Sequence, residues 1–195
     1  MTISYPLSTP TSIGIEGIEI RAVNAVAISS SPFTYKQQVI SHGGQRWEAS
    51  VSIPPVRRDL SAPWQAFLLS LKGQVGTFLL GDPDYATPQG TVSSCVVSGT
   101  AGQSSVSVVM TGSLLAGDYI QLGASGNARL HQVLQDKSGS GTLEIWPSLR
   151  STHTNTTAVF SSPKGVFRLA SNSSAYSINS SSSHSISFEA IEVVT

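Results

Sequence analysis

The side chains that could do chemistry are few and scattered. Four histidines, His42, His131, His153 and His184, stand far apart, and no two share the short spacing that brings imidazoles onto one metal ion. A zinc site needs three or four converging ligands, and a single cysteine, Cys95, cannot supply a thiolate cluster. His42 falls in an expected turn, where a solvated ring is the ordinary outcome. His131, within Arg129-Leu-His-Gln-Val133, alternates onto the polar face of an expected strand. Asp82 and Asp84 form the best carboxylate pair, but they flank Pro83 in a turn, where Asp commonly binds its own backbone. General acid–base catalysis would need a second carboxyl across a pocket, and no residue pattern marks that wall. Serine is abundant, yet no Gly-x-Ser-x-Gly elbow occurs, and both phosphate-cradling glycine patterns are missing. Asn155-Thr-Thr, Asn172-Ser-Ser and Asn179-Ser-Ser match the glycosylation triplet but reflect the abundance of Ser and Thr. The reading is of a non-enzyme with no catalytic residue, no cofactor and no metal.

Composition points the same way. The chain has 195 residues, with 11 Lys plus Arg against 11 Asp plus Glu. A neutral balance without a basic stripe excludes nucleic-acid binding driven by phosphate contacts. Charged residues make up 11 %, where ordinary domains carry about a quarter. A surface so short of charge is solvated by hydroxyls, or is covered in an assembly. Cys95 reads as a small buried hydrophobe in a strand over 92–97. Met1-Thr-Ile-Ser-Tyr-Pro6 has neither a basic nor an apolar leader region, and no apolar window is long enough to span a membrane. Synthesis in a cytoplasm is the expectation.

Hydrophobic periodicity gives the elements. Residues 1–12 form an irregular lead, and apolar alternation from Ile13 to Ile28 predicts two short strands with a turn at Asn24. The stretch from Phe33 to Pro83 organises the rest. Alternation in Phe33–Val39 and again in Arg46–Ile53, around His42-Gly-Gly-Gln45, predicts a hairpin, because paired glycines accept the positive φ of a tight turn. Pro54-Pro55 should end its second strand. Ser61 is the expected N-cap of a helix over about 61–72, with Pro63 in its first turn. Trp64, Phe67, Leu68 and Leu71 then fall on one face, and Gly73 stops it. A strand over 75–80 leads to the turn Gly81–Asp84. Segments 91–97, 104–110, 118–122, 128–134, 142–146 and 156–160 are short strands at barrel or sandwich spacing. Gly165–Ala170 and His184–Val194 are further strands, with a hairpin or loop around 175–178 between them. The fold expected is mainly β: a β-sandwich or split-barrel domain with one short helix, from residues 1–85 and 165–195, and an inserted small β-barrel or sandwich, 90–163. Of the three tryptophans, Trp47 and Trp64 read as core, whereas Trp146, before Pro147 at a strand end, could anchor a subunit contact.

Several runs carry a resemblance. Gly44-Gln-Arg-Trp-Glu-Ala-Ser-Val51, Trp64-Gln-Ala-Phe-Leu-Leu-Ser-Leu-Lys-Gly73 and Gly76-Thr-Phe-Leu-Leu-Gly-Asp-Pro83 resemble the distal tail proteins of long-tailed bacteriophages. Gly117-Asp-Tyr-Ile-Gln-Leu-Gly123, Leu143-Glu-Ile-Trp-Pro147 and Lys164-Gly-Val-Phe-Arg-Leu-Ala-Ser-Asn172 look like that family's second half. The resemblance covers most of 33–172. It implies a structural virion protein at the tail tip, a homo-oligomeric ring, typically a hexamer, that joins the tail tube to the baseplate or central fibre. It brings no catalytic residues. The alternative is a tail-tip module that binds host-surface glycan, which would need aromatic rings aligned on one exposed face. Tyr119 and Trp146 are the candidates for such stacking or for a subunit interface.

Overall fold

The computed structural model describes residues 3–180 and 182–194. Met1, Thr2 and Ser181, which enter the readings of the lead segment and of the third Asn-x-Ser triplet, lie outside the described residues. The chain is mainly β, as its composition and alternation predict. Its strands are β1 (Leu7–Ser8), β2 (Gly17–Ser30), β3 (Gln37–Val56), β4 (Phe78–Leu80), β5 (Ser94–Gly99), β6 (Ser105–Thr111), β7 (Ser113–Leu114) and β8 (Tyr119–Leu122), then β9 (Arg129–Val133), β10 (Lys137–Ser138), β11 (Gly141–Trp146), β12 (His153–Thr157), β13 (Gly165–Leu169), β14 (Tyr176–Ile178) and β15 (His184–Glu192). One α-helix, α1 (Arg58–Ser70), lies between β3 and β4.

Two large sheets result. The first has the order β1-β4-β13-β15-β3-β2, with β14 also paired to β15. The second has the order β12-β5-β6-β11-β9-β8 and curls until its ends meet. Gln121 at the end of β8 exchanges both backbone hydrogen bonds with Val159, just past β12, at 2.7 and 2.9 Å. The six short strands expected between residues 91 and 160 all belong to this second sheet.

The expected hairpin at Gly43-Gly44 is not formed. Residues 37–56 are one continuous strand, and β2 is likewise continuous through Asn24, which makes no turn. The reversal lies instead at Ser31–Lys36. There Ser31 N–H donates to the Lys36 carbonyl and Tyr35 N–H to the Ser31 carbonyl, both at 2.9 Å. Ser31-Pro32 is good turn chemistry, since a hydroxyl can accept from nearby amides and Pro presets its own φ. The two glycines are used for a bulge. Asn24 pairs with Gln45 and Val26 with Ser41, so His42, Gly43 and Gly44 together oppose Ala25 alone. Gly43 sits at φ 71°, the left-handed conformation that a hairpin turn would also have required.

Pro54 and Pro55 do not end β3 but lie within it. They fall beyond the end of the β2 ladder at Gly17–Ser52 and at a register shift against β15, so their missing N–H groups break no regular pairing. The helix starts three residues before the expected Ser61. Arg57 is its N-cap, and it makes no side-chain capping bond. Ser61 is instead buried in the first turn with its hydroxyl on the Arg58 carbonyl, and Pro63 lies one turn further in than expected. The helical face is as the spacing predicts: Trp64, Phe67, Leu68 and Leu71 are all buried. They pack with Phe78, Phe167 and Phe188 of the first sheet, largely edge to face, with Phe67–Phe78 centroids 5.5 Å apart. Burying each such side chain stabilises the fold by about 1.5–3 kcal/mol.

The second sheet encloses its own core of Cys95, Val97, Val106, Val108, Ile120, Leu122, Leu143 and Ile145. Strand β6 alternates strictly, Val106, Val108 and Met110 inward and Ser105, Ser107 and Val109 outward. His131 departs from the polar face expected of it. It is 1 % exposed, its Nδ1 lies 2.7 Å from the Pro147 carbonyl, and burial pushes its pKa down to about 4. Leu130 and His131 are buried on opposite faces of β9, Leu130 in the core of the first sheet.

Candidate assembly interface

The hairpin formed by β2 and β3 has two halves of different character. In the near half, Ile18 and Ile20 of β2 stand opposite Val51 and Ala49 of β3, and Trp47, Ala49, Val51 and Ile53 are buried in the core that the first sheet shares with α1. Beyond the bulge the ribbon leaves the body. Every residue from Asn24 to Ser30 and from Gln37 to Gly44 is exposed. At ~3.3 Å per residue the six positions Ala25–Ser30 alone extend the arm by about 20 Å.

This arm is apolar on both faces. Val26, Ile28 and Val39 share one face and are 47 %, 64 % and 58 % exposed, while Ala27 and Ile40 pair on the other. At the tip Phe33 and Tyr35 are 91 % and 82 % exposed. The face bearing Val26 and Ile28 continues the core-facing side of the sheet, where Ile18, Ile20 and Ala22 lie, but no layer covers it among the described residues. Strand β2 is also the sheet edge, so its outer row of N–H and C=O groups is open. Its outer half, Ala-Val-Ala-Ile-Ser-Ser, contains no Lys, Pro or other charge to discourage pairing. A two-stranded ribbon is at best marginally stable alone in water, so an arm of this composition fits a second surface that covers it.

The arm is fixed to a rigid base at the seam between the sheets. Trp47 donates its indole N–H to the Leu130 carbonyl at 2.9 Å and its backbone N–H to Glu192 Oε2 at 3.0 Å. Arg150, from the loop after β11, pairs with Glu192 at 3.1 Å and donates to the Gln45 carbonyl beside the bulge. The Gln45 side chain accepts from Ser148 N–H at 2.8 Å. The bulge that tips the arm away from the body is thus clamped from the second sheet.

Trp146 and Tyr119, the two residues singled out for stacking or contact, belong to this seam. Both are half-buried, and both rings pack on Trp47. Trp146 stands edge-on at 4.4 Å and 83°, and Tyr119 lies tilted at 6.1 Å. Trp146 also donates its indole N–H to Asn24 Oδ1 at 3.0 Å, at the base of the arm. They brace the arm rather than align along one open face. In the sequence the arm's residues Val26, Ile28, Phe33, Tyr35 and Val39 read as ordinary strand positions, because alternation is the same whether a face is covered or bare.

The chemically capable side chains stay apart. His42 is exposed on the arm, His131 is enclosed, and His153, half-buried, has its pKa lowered by burial. His184 is buried, stacked on Tyr176, with its Nδ1 3.2 Å from the Gln65 amide. Asp82 accepts from Asp84 N–H at 2.9 Å, as a turn aspartate does. Burial raises the Cys95 thiol to about 11. Among the described residues no three His, Cys, Asp or Glu gather as metal ligands, and no helix is long and apolar enough to cross a membrane. Asp118 is fully buried and was not anticipated. It accepts from the backbone N–H groups of Gln89, Gly90 and Leu115 and from the Tyr85 hydroxyl, tying the 85–90 loop to the second sheet. Set against protein-family models and against curated proteins, the sequence matches none.

Proposed function

We propose that this protein is a structural subunit of a bacteriophage tail tip that closes with copies of itself into a ring, typically of six, joining the tail tube to the baseplate or central fibre. The observation that carries the reading is the projecting β2–β3 arm, apolar on both faces and open along its edge. A heterologous contact, in which one copy's arm lies on a different surface of the next copy, closes into a ring when the rotation per step allows it. Pairing along the open edge would also remove the aggregation hazard that the bare strand represents. The low charge and the resemblance carried by residues 33–172 support the same reading.

Binding of host glycan, the alternative, draws less support. Stacking on a sugar needs open rings aligned along one face, and Trp146 and Tyr119 are half-buried against Trp47, with Trp146 tied further to Asn24. The test is sedimentation velocity over a wide concentration range with negative-stain electron microscopy of the same samples. Rings that dissociate when residues 25–44 are replaced by a two-residue turn are the expected result. A monodisperse monomer at the highest concentration, with no rings on the grid, would overturn the proposal.

A further inference from the structure

The ribbon that carries the arm carries a groove at its other end. This groove, of about 360 Å³, lies between the root of the β2–β3 ribbon, β14 and β15. Buried Ile53 and Ile186 and exposed Pro55, Ala175 and Tyr176 supply its apolar lining. Four serines line the rest, and Glu16 is its one charged group. Strand β14, which forms one wall, is as bare as the arm. All three of its residues are exposed, Tyr176 at 54 % and Ile178 at 57 %, and it pairs only with β15.

Tip and groove stand at opposite ends of one ribbon. The β2–β3 ladder runs from Gly17–Ser52 at the root to Ser30–Gln37 at the tip, and the 14 residues of β2 at ~3.3 Å each separate the two ends by about 45 Å. The bulge between them is held through Gln45 to Ser148 and Arg150, so a copy does not fold its tip back into its own groove. The charges are complementary. From Ala25 to Gly44 the arm carries one charged side chain, Lys36, beside Tyr35 at the tip, and no acid. The groove carries one acid and no base. Neither Lys36 nor Glu16 has an ion-pair partner among the described residues, where the pairs are Glu19–Arg21, Glu48–Arg46 and Glu192–Arg150.

We propose that the groove seats the arm tip of a second copy, with the ring of Phe33 or Tyr35 against Tyr176, Pro55 and Ala175 and the Lys36 ammonium on the Glu16 carboxylate. The inference rests on the ring reading above and names the surface that receives the arm. A tip-to-root contact is heterologous: each copy gives one arm and receives one, as a closed ring requires. The groove's volume falls at the small end of the ~300–1,000 Å³ range that takes a drug-sized molecule, which leaves room for an aromatic ring. A buried aromatic side chain removes about 150–250 Å² from water, and Phe33, 91 % exposed, has nearly all of its surface to give. The ion pair fixes the register of the contact more than its strength.

The experiment is charge reversal across the contact, read by sedimentation velocity of the full-length protein and its variants. Lys36→Glu alone and Glu16→Lys alone should each weaken self-association by about tenfold or more, because like charges then face each other. The double variant should recover it. An equimolar mixture of the two single variants should recover it as well, since every arm then finds a groove of opposite sign. Phe33→Ser should weaken association by about tenfold or more through lost apolar burial. All three positions are exposed, so the circular dichroism of the variants should match the parent. Assembly that persists undiminished in both charge variants would overturn this docking, leave the ring reading standing and assign the groove to a different partner. Loss in the single variants without recovery in the double variant or the mixture would overturn it too, because the two residues would then not answer each other. A parent protein that stays monomeric at every concentration would overturn both this docking and the ring.

Discussion

Replacing Asp118 tests whether the buried carboxylate, rather than simple packing, holds the 85–90 loop on the second sheet. Its two oxygens accept from Gln89 N–H at 2.7 Å, Gly90 N–H at 3.2 Å, Leu115 N–H at 2.8 Å and the Tyr85 hydroxyl at 3.1 Å, and the residue is 0 % exposed. Hydrogen bonds to a charged acceptor are worth about 1.5–3 kcal/mol each. Gln89 is exposed, so its amide regains water when the acceptor is lost. The donors of Gly90 and Leu115 are partly enclosed and do so less well. Counting those two alone, Asp118→Ala should cost about 3–6 kcal/mol. Asp118→Asn discriminates further. Oδ2 serves both Gly90 and Leu115, so whichever way the amide turns, its NH₂ faces an N–H group. The conservative variant should therefore cost nearly as much as alanine. Guanidinium denaturation followed by circular dichroism would read this as a midpoint lower by about 1 M, with the slope unchanged. An Asp118→Asn protein within about 0.5 kcal/mol of the parent would refute the reasoning and assign the loop's position to packing.

Ile28→Thr with Val39→Thr keeps the β-branched shape of the arm while removing apolar surface that is 64 % and 58 % exposed. With about 1.5 kcal/mol lost per side chain from the covering contact, self-association measured by sedimentation should weaken ~100-fold, and monomer stability should hardly move. Arg150→Met should destabilise by about 3 kcal/mol in denaturant, because the enclosed Glu192 loses its ion pair and keeps only the Trp47 N–H as hydrogen-bond donor. Adding Glu192→Gln should restore about half of that. His131 has a folded pKa of about 4 against an ordinary 6.5, so the folded state refuses a proton that the unfolded chain accepts. Stability should fall as the pH drops through that interval, by about 3 kcal/mol in all, and His131→Gln should flatten the slope. Cys95, fully buried with its thiol raised to about 11, should resist Ellman's reagent in the native state and react at once in denaturant.

Elements whose signal is local were legible. The helical face of Trp64, Phe67, Leu68 and Leu71 and the alternation of Val106, Val108 and Met110 follow from side-chain periods that the backbone alone imposes. Signals with two structural uses were misread. Gly43-Gly44 suits a tight turn and a bulge equally, since both need a residue with positive φ, and Pro54-Pro55 suits a strand end and a ladder gap equally. Which use prevails is set by β2 and β15, which come from distant parts of the sequence. The seam was hidden for the same reason: Trp47, Leu130, Arg150 and Glu192 show nothing in their own neighbourhoods that they will meet.

Taken by itself, the amino-acid order determined a mainly β chain with one Trp/Leu-faced helix, because period and composition act over a few residues. It also determined a surface with little charge. Only the tertiary structure decided that the β2–β3 ribbon runs out past the body and leaves Val26, Ile28 and Val39 bare. The physical reason is that an alternating strand specifies two faces but not what covers them. Coverage depends on where the other sheet, the helix and any neighbouring copy come to rest.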